Sequence, residues 1–257
     1  MAIIQNLFPT YELALTACGK GYNDDDIAVV VARKTAIISS NIMQGAIDTD
    51  PSSLTVMAVS IAQRDSKTIR VLDIGGACGY AYFVTKALIG HHANIQWVVV
   101  ETEAMVRQAN LHFHTDNLKF CTSIEEGIAV LGGRDCIDIV HTSGTIQYVP
   151  YPEKMLDNIL GICAPVVLIA RFPLYGGSRC VGVQTSLFSD NGPGPMPEGI
   201  ANKQFIYPVT FINKGDLAQR VLSSYQIIGQ FLSPSANYTV GPQQAPGISI
   251  LLRYRAT

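Results

Sequence analysis

The chain has 257 residues, 18 Lys and Arg against 20 Asp and Glu, and a formal net charge of −2. Its basic residues are scattered, which argues against nucleic acid as an obligatory partner, since a phosphate backbone is neutralised by clustered cations. No run reaches the roughly 18 to 20 apolar residues that span a bilayer, and the N-terminus lacks a signal-peptide layout, so a soluble cytoplasmic protein without membrane partners is expected.

Charged residues make up 15 % of the chain, against roughly 25 % in ordinary globular proteins, which favours a homodimer or an apolar substrate pocket. Cys18, Cys78, Cys121, Cys136, Cys163 and Cys180 are spread without a Cys-x-x-Cys pair and read as reduced and mostly buried. No metal site is expected, and His91-His92 reads as an exposed pair after a helix.

In chain order, Asp24-Asp25-Asp26 opens a helix whose apolar stripe, Ile27, Val30, Val31, Ile38 and Ile42, is interrupted by Lys34. A second helix starts at Pro51, with Leu54, Met57, Ala58 and Ile61 on one face. Residues 1–66 are therefore expected to form a helical cap on a domain of residues 67–257.

The next segment, Val71 to Ile74, is an apolar strand carrying one acid, Asp73, and it runs into Gly75-Gly76-Ala77-Cys78-Gly79-Tyr80. Glycines there permit unusual dihedrals, and the first N–H groups of the following helix, Tyr80 to Gly90, are open to a nucleotide-like ligand. Ile95 to Val100 is a second strand, ending on Glu101. A right-handed βαβ unit would bring Glu101 beside the glycine turn, where a carboxylate can accept both hydroxyls of a ribose. The competing reading makes Glu101 the acidic cap of a helix starting near Glu103, although Thr102 can cap equally well.

Nicotinamide dinucleotides and S-adenosylmethionine both fit such a unit. The spacing is not Gly-x-Gly-x-x-Gly, and a carboxylate at Asp73 repels a pyrophosphate but suits an ammonium. Here the chain resembles the class I S-adenosylmethionine-dependent methyltransferases, whose acid-x-Gly-x-x-x-Gly motif is matched by Asp73, Gly75 and Gly79 and whose second acid is matched by Glu101. The resemblance implies an α/β, Rossmann-like three-layer sandwich with a seven-stranded, mostly parallel sheet and an antiparallel last strand. It implies S-adenosyl-L-methionine as cofactor, held by Asp73, Gly75, Gly76, Gly79, Tyr80, Glu101, Thr102, Thr142 and Ser143. Many class I members carry an acid after the third strand for the adenine amino group. Here Cys121-Thr122-Ser123 follows Phe120, so that contact passes to Thr122, Ser123 or backbone.

Further along, Asp135 to His141 reads as the fourth strand, and Ala164 to Phe172 as a buried central strand ending in Arg171. Residues 173–213 read as an insertion in which Val181, Val183, Thr185 and Leu187, and then Phe205, Tyr207, Val209 and Phe211, alternate like a β-hairpin. Between them, the three prolines and three glycines of residues 191–199 mark a loop, and the insertion reads as a lid or a dimer arm. A helix from Lys214 to Ser223 and strands at Tyr225–Leu232 and Ile248–Tyr254 complete the sheet.

Thr10 to Leu15, Gly21-Tyr22, Ser143-Gly144 with Gln147-Tyr148, and Arg171-Phe172-Pro173 are also similar to a group of bacterial methyltransferases of undefined substrate. That resemblance implies methyl transfer to a nitrogen or oxygen of a small molecule, in natural-product or saccharide tailoring. Tyr22, Gln147, Tyr148, Arg171 and Tyr175 are the candidate substrate groups, as donors to an oxygenated or carboxylated acceptor; Arg171 reads equally as a buried ion-pair partner. His141 is the candidate general base, against a core histidine turned away from the cleft. The alternatives are an NAD(P)-dependent oxidoreductase and a catalytically silent cofactor-binding scaffold.

Overall fold

The computed structural model describes residues 2–18, 22–45, 52–64, 68–90 and 94–255, without the side chains of residues 52 and 53. His91, His92, Gly21 and the helix start expected at Pro51 lie outside the described residues. From the N-terminus the chain forms β1 (Ala2–Ile4), β2 (Leu7–Phe8), α1 (Tyr11–Thr16), α2 (Asp25–Met43), α3 (Ser52–Ala62), β3 (Thr68–Ile74), α4 (Tyr80–Ile89) and β4 (Asn94–Val100). There follow α5 (Glu103–His112), β5 (Leu118–Cys121), α6 (Ile124–Val130), β6 (Ile139–Ser143), α7 (Pro152–Leu160), β7 (Val166–Pro173), β8 (Cys180–Leu187) and β9 (Gln204–Phe211). The chain closes with α8 (Lys214–Ser224), β10 (Tyr225–Leu232), β11 (Tyr238–Val240), β12 (Gln243–Ala245) and β13 (Gly247–Tyr254).

Seven strands make one sheet in the order β10-β13-β7-β6-β3-β4-β5. β3, β4 and β5 are parallel, and β13 is antiparallel to both β7 and β10. Two short sheets, β1-β11-β12 and β2-β8-β9, were not foreseen as such; the alternating residues of the insertion pair with a strand from the N-terminus, Leu7 facing Gly182 and Phe8 facing Val181.

The chain divides into two compact units. The glycine-turn unit comprises Tyr22–His141 and Ser186–Phe205, and the tyrosine unit comprises Met1–Gly21, Thr142–Thr185 and Ile206–Thr257.

In the glycine-turn unit, the last four residues of β3 and of β4 are buried, as strands covered on both faces require. Trp97, 1 % exposed, is the largest of these side chains. α2 packs on α4 and α5, and α3 on α4. Asp24 caps α2 by accepting from the Asp26 N–H, and Asp25 and Asp26 favour the positive end of the helix dipole. Lys34, read as an interruption of the stripe, is wholly buried within it. On α3 the buried face is Thr55, Ala58, Val59 and Ala62, one residue away from the expected stripe, of which only Ala58 is buried. An apolar helix of this kind has no sharp polar side, so its pattern fixes the face poorly.

In the tyrosine unit, Ile4, Tyr175, Val209, Phe211, Ala236, Tyr238, Val240 and Ala245 form a core cluster. Pro152 starts α7 where its missing N–H costs nothing. The fourth strand begins later than expected, since Arg134–Cys136 forms a 3₁₀ turn and pairing starts at Ile139. The cysteines are all free, but only Cys78 and Cys121 are buried and Cys163 is exposed, which corrects the expectation of mostly buried thiols. Among the described residues no helix is long and apolar enough to cross a membrane.

Candidate active site

The glycine turn leaves the carboxyl end of β3 in a strained arc: φ is 74° at Gly75, 51° at Ala77 and 82° at Gly79. Gly75 and Gly79 adopt this region without a side-chain penalty, whereas Ala77 is held in it. The Gly75 N–H donates to the Val100 carbonyl at 2.8 Å, and the Gly79 N–H to the Gly76 carbonyl at 3.0 Å. These bonds tie the turn to the end of β4, where Glu101 begins.

Glu101 reaches back to the turn. Its Oε1 accepts from the Ala77 N–H at 3.2 Å and its Oε2 from the Thr102 N–H at 2.8 Å. Each carboxylate oxygen retains capacity for a further donor. Burial pushes the Glu101 carboxyl above its ordinary value; the two backbone N–H groups oppose that rise and the charge of Asp73 adds to it. Thr102, the N-cap of α5, accepts from the Met105 N–H at 3.4 Å. The hydroxyl therefore caps α5, and Glu101 is directed at the turn instead.

Asp73, read from sequence as the acid facing the cofactor's ammonium, has both of its carboxylate oxygens engaged by protein groups. It is wholly buried, with Oδ1 2.7 Å from His141 Nδ1 and Oδ2 accepting from Trp97 Nε1 at 3.0 Å. Gly76 passes directly over this carboxylate, and a Cβ there would collide with it. His141 is correspondingly no open base: it is 4 % exposed, and its Nε2 lies 3.3 Å from Thr55 Oγ1 on α3. The physical reason lies in the register. Asp73 pairs with Val99 across β3 and β4, so Trp97, two residues earlier, stands diagonally on the same face and supplies the donor. Trp97 and Thr55 were missed because a strand tryptophan and a helix threonine carry no signal until that register and the face of α3 are known.

Tyr22, expected near a substrate, donates to Asn191 Oδ1 at 3.1 Å and packs edge-on to Phe205. Asn191 also bonds Ser186 and Leu187, and Lys34 Nζ donates to the carbonyls of Ser189 and Asn191, both at 2.7 Å. A buried lysine on α2 thus pins residues 188–191. Desolvation lowers the Lys34 pKa, opposed by the charge of Asp190. Tyr80 opens α4 and is partly buried. Ser123 caps α6 through the Glu126 N–H at 3.1 Å, and Glu126 returns a bond from the Thr122 N–H at 3.2 Å. The pair expected to meet adenine is a capping arrangement, a signal present in the spacing of Ser123 and Glu126.

In the tyrosine unit, Tyr148 is the centre of a polar cluster. Its hydroxyl lies 2.6 Å from that of Tyr238 and donates to Gln184 Oε1 at 3.2 Å, while its carbonyl accepts from the Tyr11 hydroxyl at 2.8 Å. Burial raises the Tyr148 phenol; the bond from Tyr238 and then the charge of Arg171 oppose that rise. Tyr11, Gln184 and Tyr238 were not singled out from sequence, because three distant segments supply them. Gln147, 2 % exposed, donates through Nε2 to the Arg171 carbonyl at 3.2 Å. Thr142 is buried, with no hydrogen-bond partner for its hydroxyl among the described residues, and the Ser143 carbonyl accepts from Thr145. Tyr175, a candidate substrate group from sequence, lies in the core cluster: it is 6 % exposed, and its ring packs on Phe211.

No protein-family model matches the chain, and no curated protein matches it. Solved structures do. An S-adenosylmethionine-dependent methyltransferase from Clostridium acetobutylicum is 13 % identical, with 87 % of this chain and 99 % of that chain covered and a TM-score of 0.49. The S-adenosylmethionine-bound amino pentose methyltransferase CalS10 from Micromonospora echinaspora, involved in calicheamicin biosynthesis, is 12 % identical, covering 82 % of this chain and 93 % of that one at 0.47. The N-terminal domain of EvdMO1 with S-adenosylhomocysteine bound is 16 % identical, covering 81 % and 83 % at 0.46. At these identities and scores, this chain's chemistry has to be read from its own residues.

Proposed function

We propose that this chain binds S-adenosylmethionine at the glycine turn and transfers its methyl group to a nitrogen or oxygen of a small molecule. The observation that carries this reading is Glu101, whose two oxygens are held against the turn by the Ala77 and Thr102 N–H groups and can each accept one ribose hydroxyl. The turn lies where the strand order reverses between β3 and β6, the place at which open α/β sheets bind ligands.

The residues fit the group. Gly75 and Gly76 are partly exposed and offer backbone, and Glu101 offers a carboxylate to a sugar; Gly79, Tyr80, Thr102, Thr122, Ser123, Thr142 and Ser143 remain proposed contacts. With Asp73 buried, the cofactor's ammonium falls to backbone carbonyls of the turn. When bound, the cofactor supplies an activated methyl for in-line displacement, and the protein's part is to orient the acceptor. His141 is closed off by Asp73 and Thr55, which favours a nitrogen acceptor that attacks once neutral over a hydroxyl that needs a base. Tyr148, Gln147 and Arg171 are the proposed acceptor contacts. A tailoring reaction on a natural product or saccharide is the proposed context.

The burial of Asp73 also removes the charge argument against a dinucleotide, which leaves an oxidoreductase as the second reading. Topology now favours the methyltransferase: the antiparallel β13 stands between β7 and β10, outside the 3-2-1-4-5-6 parallel order of dinucleotide-binding sheets. Calorimetric titration with S-adenosylhomocysteine against NADPH tests the choice. Radiolabelled methyl transfer to amino sugars and amines then separates an enzyme from a silent binding subunit.

A further inference from the structure

Arg171, near the end of β7, has a φ of 53°, a backbone state that residues with side chains rarely adopt. The β7–β13 ladder slips at this point. Phe172 pairs with Ile248 and Ile169 with Ile250, so Ala170 and Arg171 together face Ser249. Such a bulge re-aims a side chain.

The bulge is fully supported. The Arg171 N–H donates to Ser249 Oγ at 3.2 Å, and that hydroxyl shares a 2.7 Å bond with the buried Ser233. The Ala170 carbonyl accepts from the Gly144 N–H at 2.9 Å, and the Arg171 carbonyl accepts from Gln147. Gly144 must be bare: a Cβ there would lie 2.9 Å from Arg171 Nε and 3.0 Å from Cζ. Arg107, Arg179 and Arg220 each hold a carboxylate, on Asp25, Glu153 and Asp157. The partly buried guanidinium of Arg171 has no ion-pair or hydrogen-bond acceptor among the described residues. Partial burial leaves this cation short of water as well as of a protein partner, so an anionic ligand would complete it, and beside it the buried Gln147 Oε1 also has no partner among the described residues.

We propose that Arg171 is a preformed subsite for a carboxylate on the acceptor molecule. A guanidinium grips a carboxylate through two parallel N–H bonds, and one cation balances one carboxylate, whereas a phosphate dianion calls for more. The inference rests on the proposed methyl transfer for the identity of that ligand, and it narrows the acceptor to a molecule bearing both a nucleophile and a carboxylic acid.

The test is an NMR titration of the full chain with sodium benzoate, followed at the Arg171 Nε–Hε signal and identified by its loss in Arg171→Lys. A saturable shift of that signal is expected, weakened by about tenfold or more in Gly144→Ala, which keeps the arginine but displaces its head. Inorganic phosphate should bind more weakly. An absent or non-saturating shift, an equal response from the exposed Arg107, or tighter binding of phosphate overturns the proposal. S-adenosylhomocysteine is titrated in parallel. If benzoate binds and it does not, the cofactor reading fails and the carboxylate subsite stands; if it binds and benzoate does not, the subsite alone fails.

Discussion

Asp73 and His141 form a buried pair, Oδ1 to Nδ1 at 2.7 Å, closed at one end by the Trp97 indole and at the other by the Thr55 hydroxyl. The acid that marks the motif in sequence therefore supports the glycine turn from beneath, against Gly76. Removing His141 or Trp97 takes one hydrogen-bond partner from the buried Asp73 carboxyl. His141→Ala and Trp97→Phe should each cost about 1.5 to 3 kcal/mol of stability, the range for one hydrogen bond to a carboxylate. Urea unfolding measures both. Unchanged stability with abolished methyl transfer in His141→Ala would restore the histidine as a base.

Glu101 couples ligand affinity to stability. Its folded carboxyl binds a proton more tightly than in the unfolded chain, because burial raises its pKa. The folded state therefore loses stability as pH rises from the ordinary carboxylate value through the raised one. Glu101→Gln abolishes this loss, so its stability relative to the wild type should climb from acid to neutral pH. Thermal melts across that range check the sign; parallel curves would mean that the carboxyl is not perturbed.

Lys34 anchors residues 188–191 to α2 through two carbonyls. Lys34→Ala strands both, at about 1 to 3 kcal/mol each, and Gly192 and Gly194, which lie against Val31 and Ile38 of the same helix, lose their footing next. Limited proteolysis should cut the variant between residues 188 and 205 well before the wild type. Equal cutting rates would show that the lysine does not hold this segment.

The parallel strands were legible because runs such as Trp97 to Val100 are apolar on both faces, and helix ends such as Asp24 and Gly90 carry their own chemistry. What was not legible depended on register or on distant pairing. The burial of Asp73 follows only once Val71 is opposite Trp97. The roles of Tyr11 and Tyr238 beside Tyr148 need three segments, β1-β11-β12 and β2-β8-β9 included, that local periodicity does not bring together. Arg171 was noticed as a charge at a strand end, but the slip at Ser249 that turns it has no local mark.

The central claim is that Glu101 holds the ribose of S-adenosylmethionine, and its most direct measure is calorimetric titration of S-adenosylhomocysteine into the wild type and Glu101→Ala. Wild-type binding should be saturable and one-to-one, and the variant should lose about 1.5 to 3 kcal/mol, roughly ten- to 150-fold in affinity. Tight binding of NADPH with no heat from S-adenosylhomocysteine, or equal affinity in the two proteins, would contradict it.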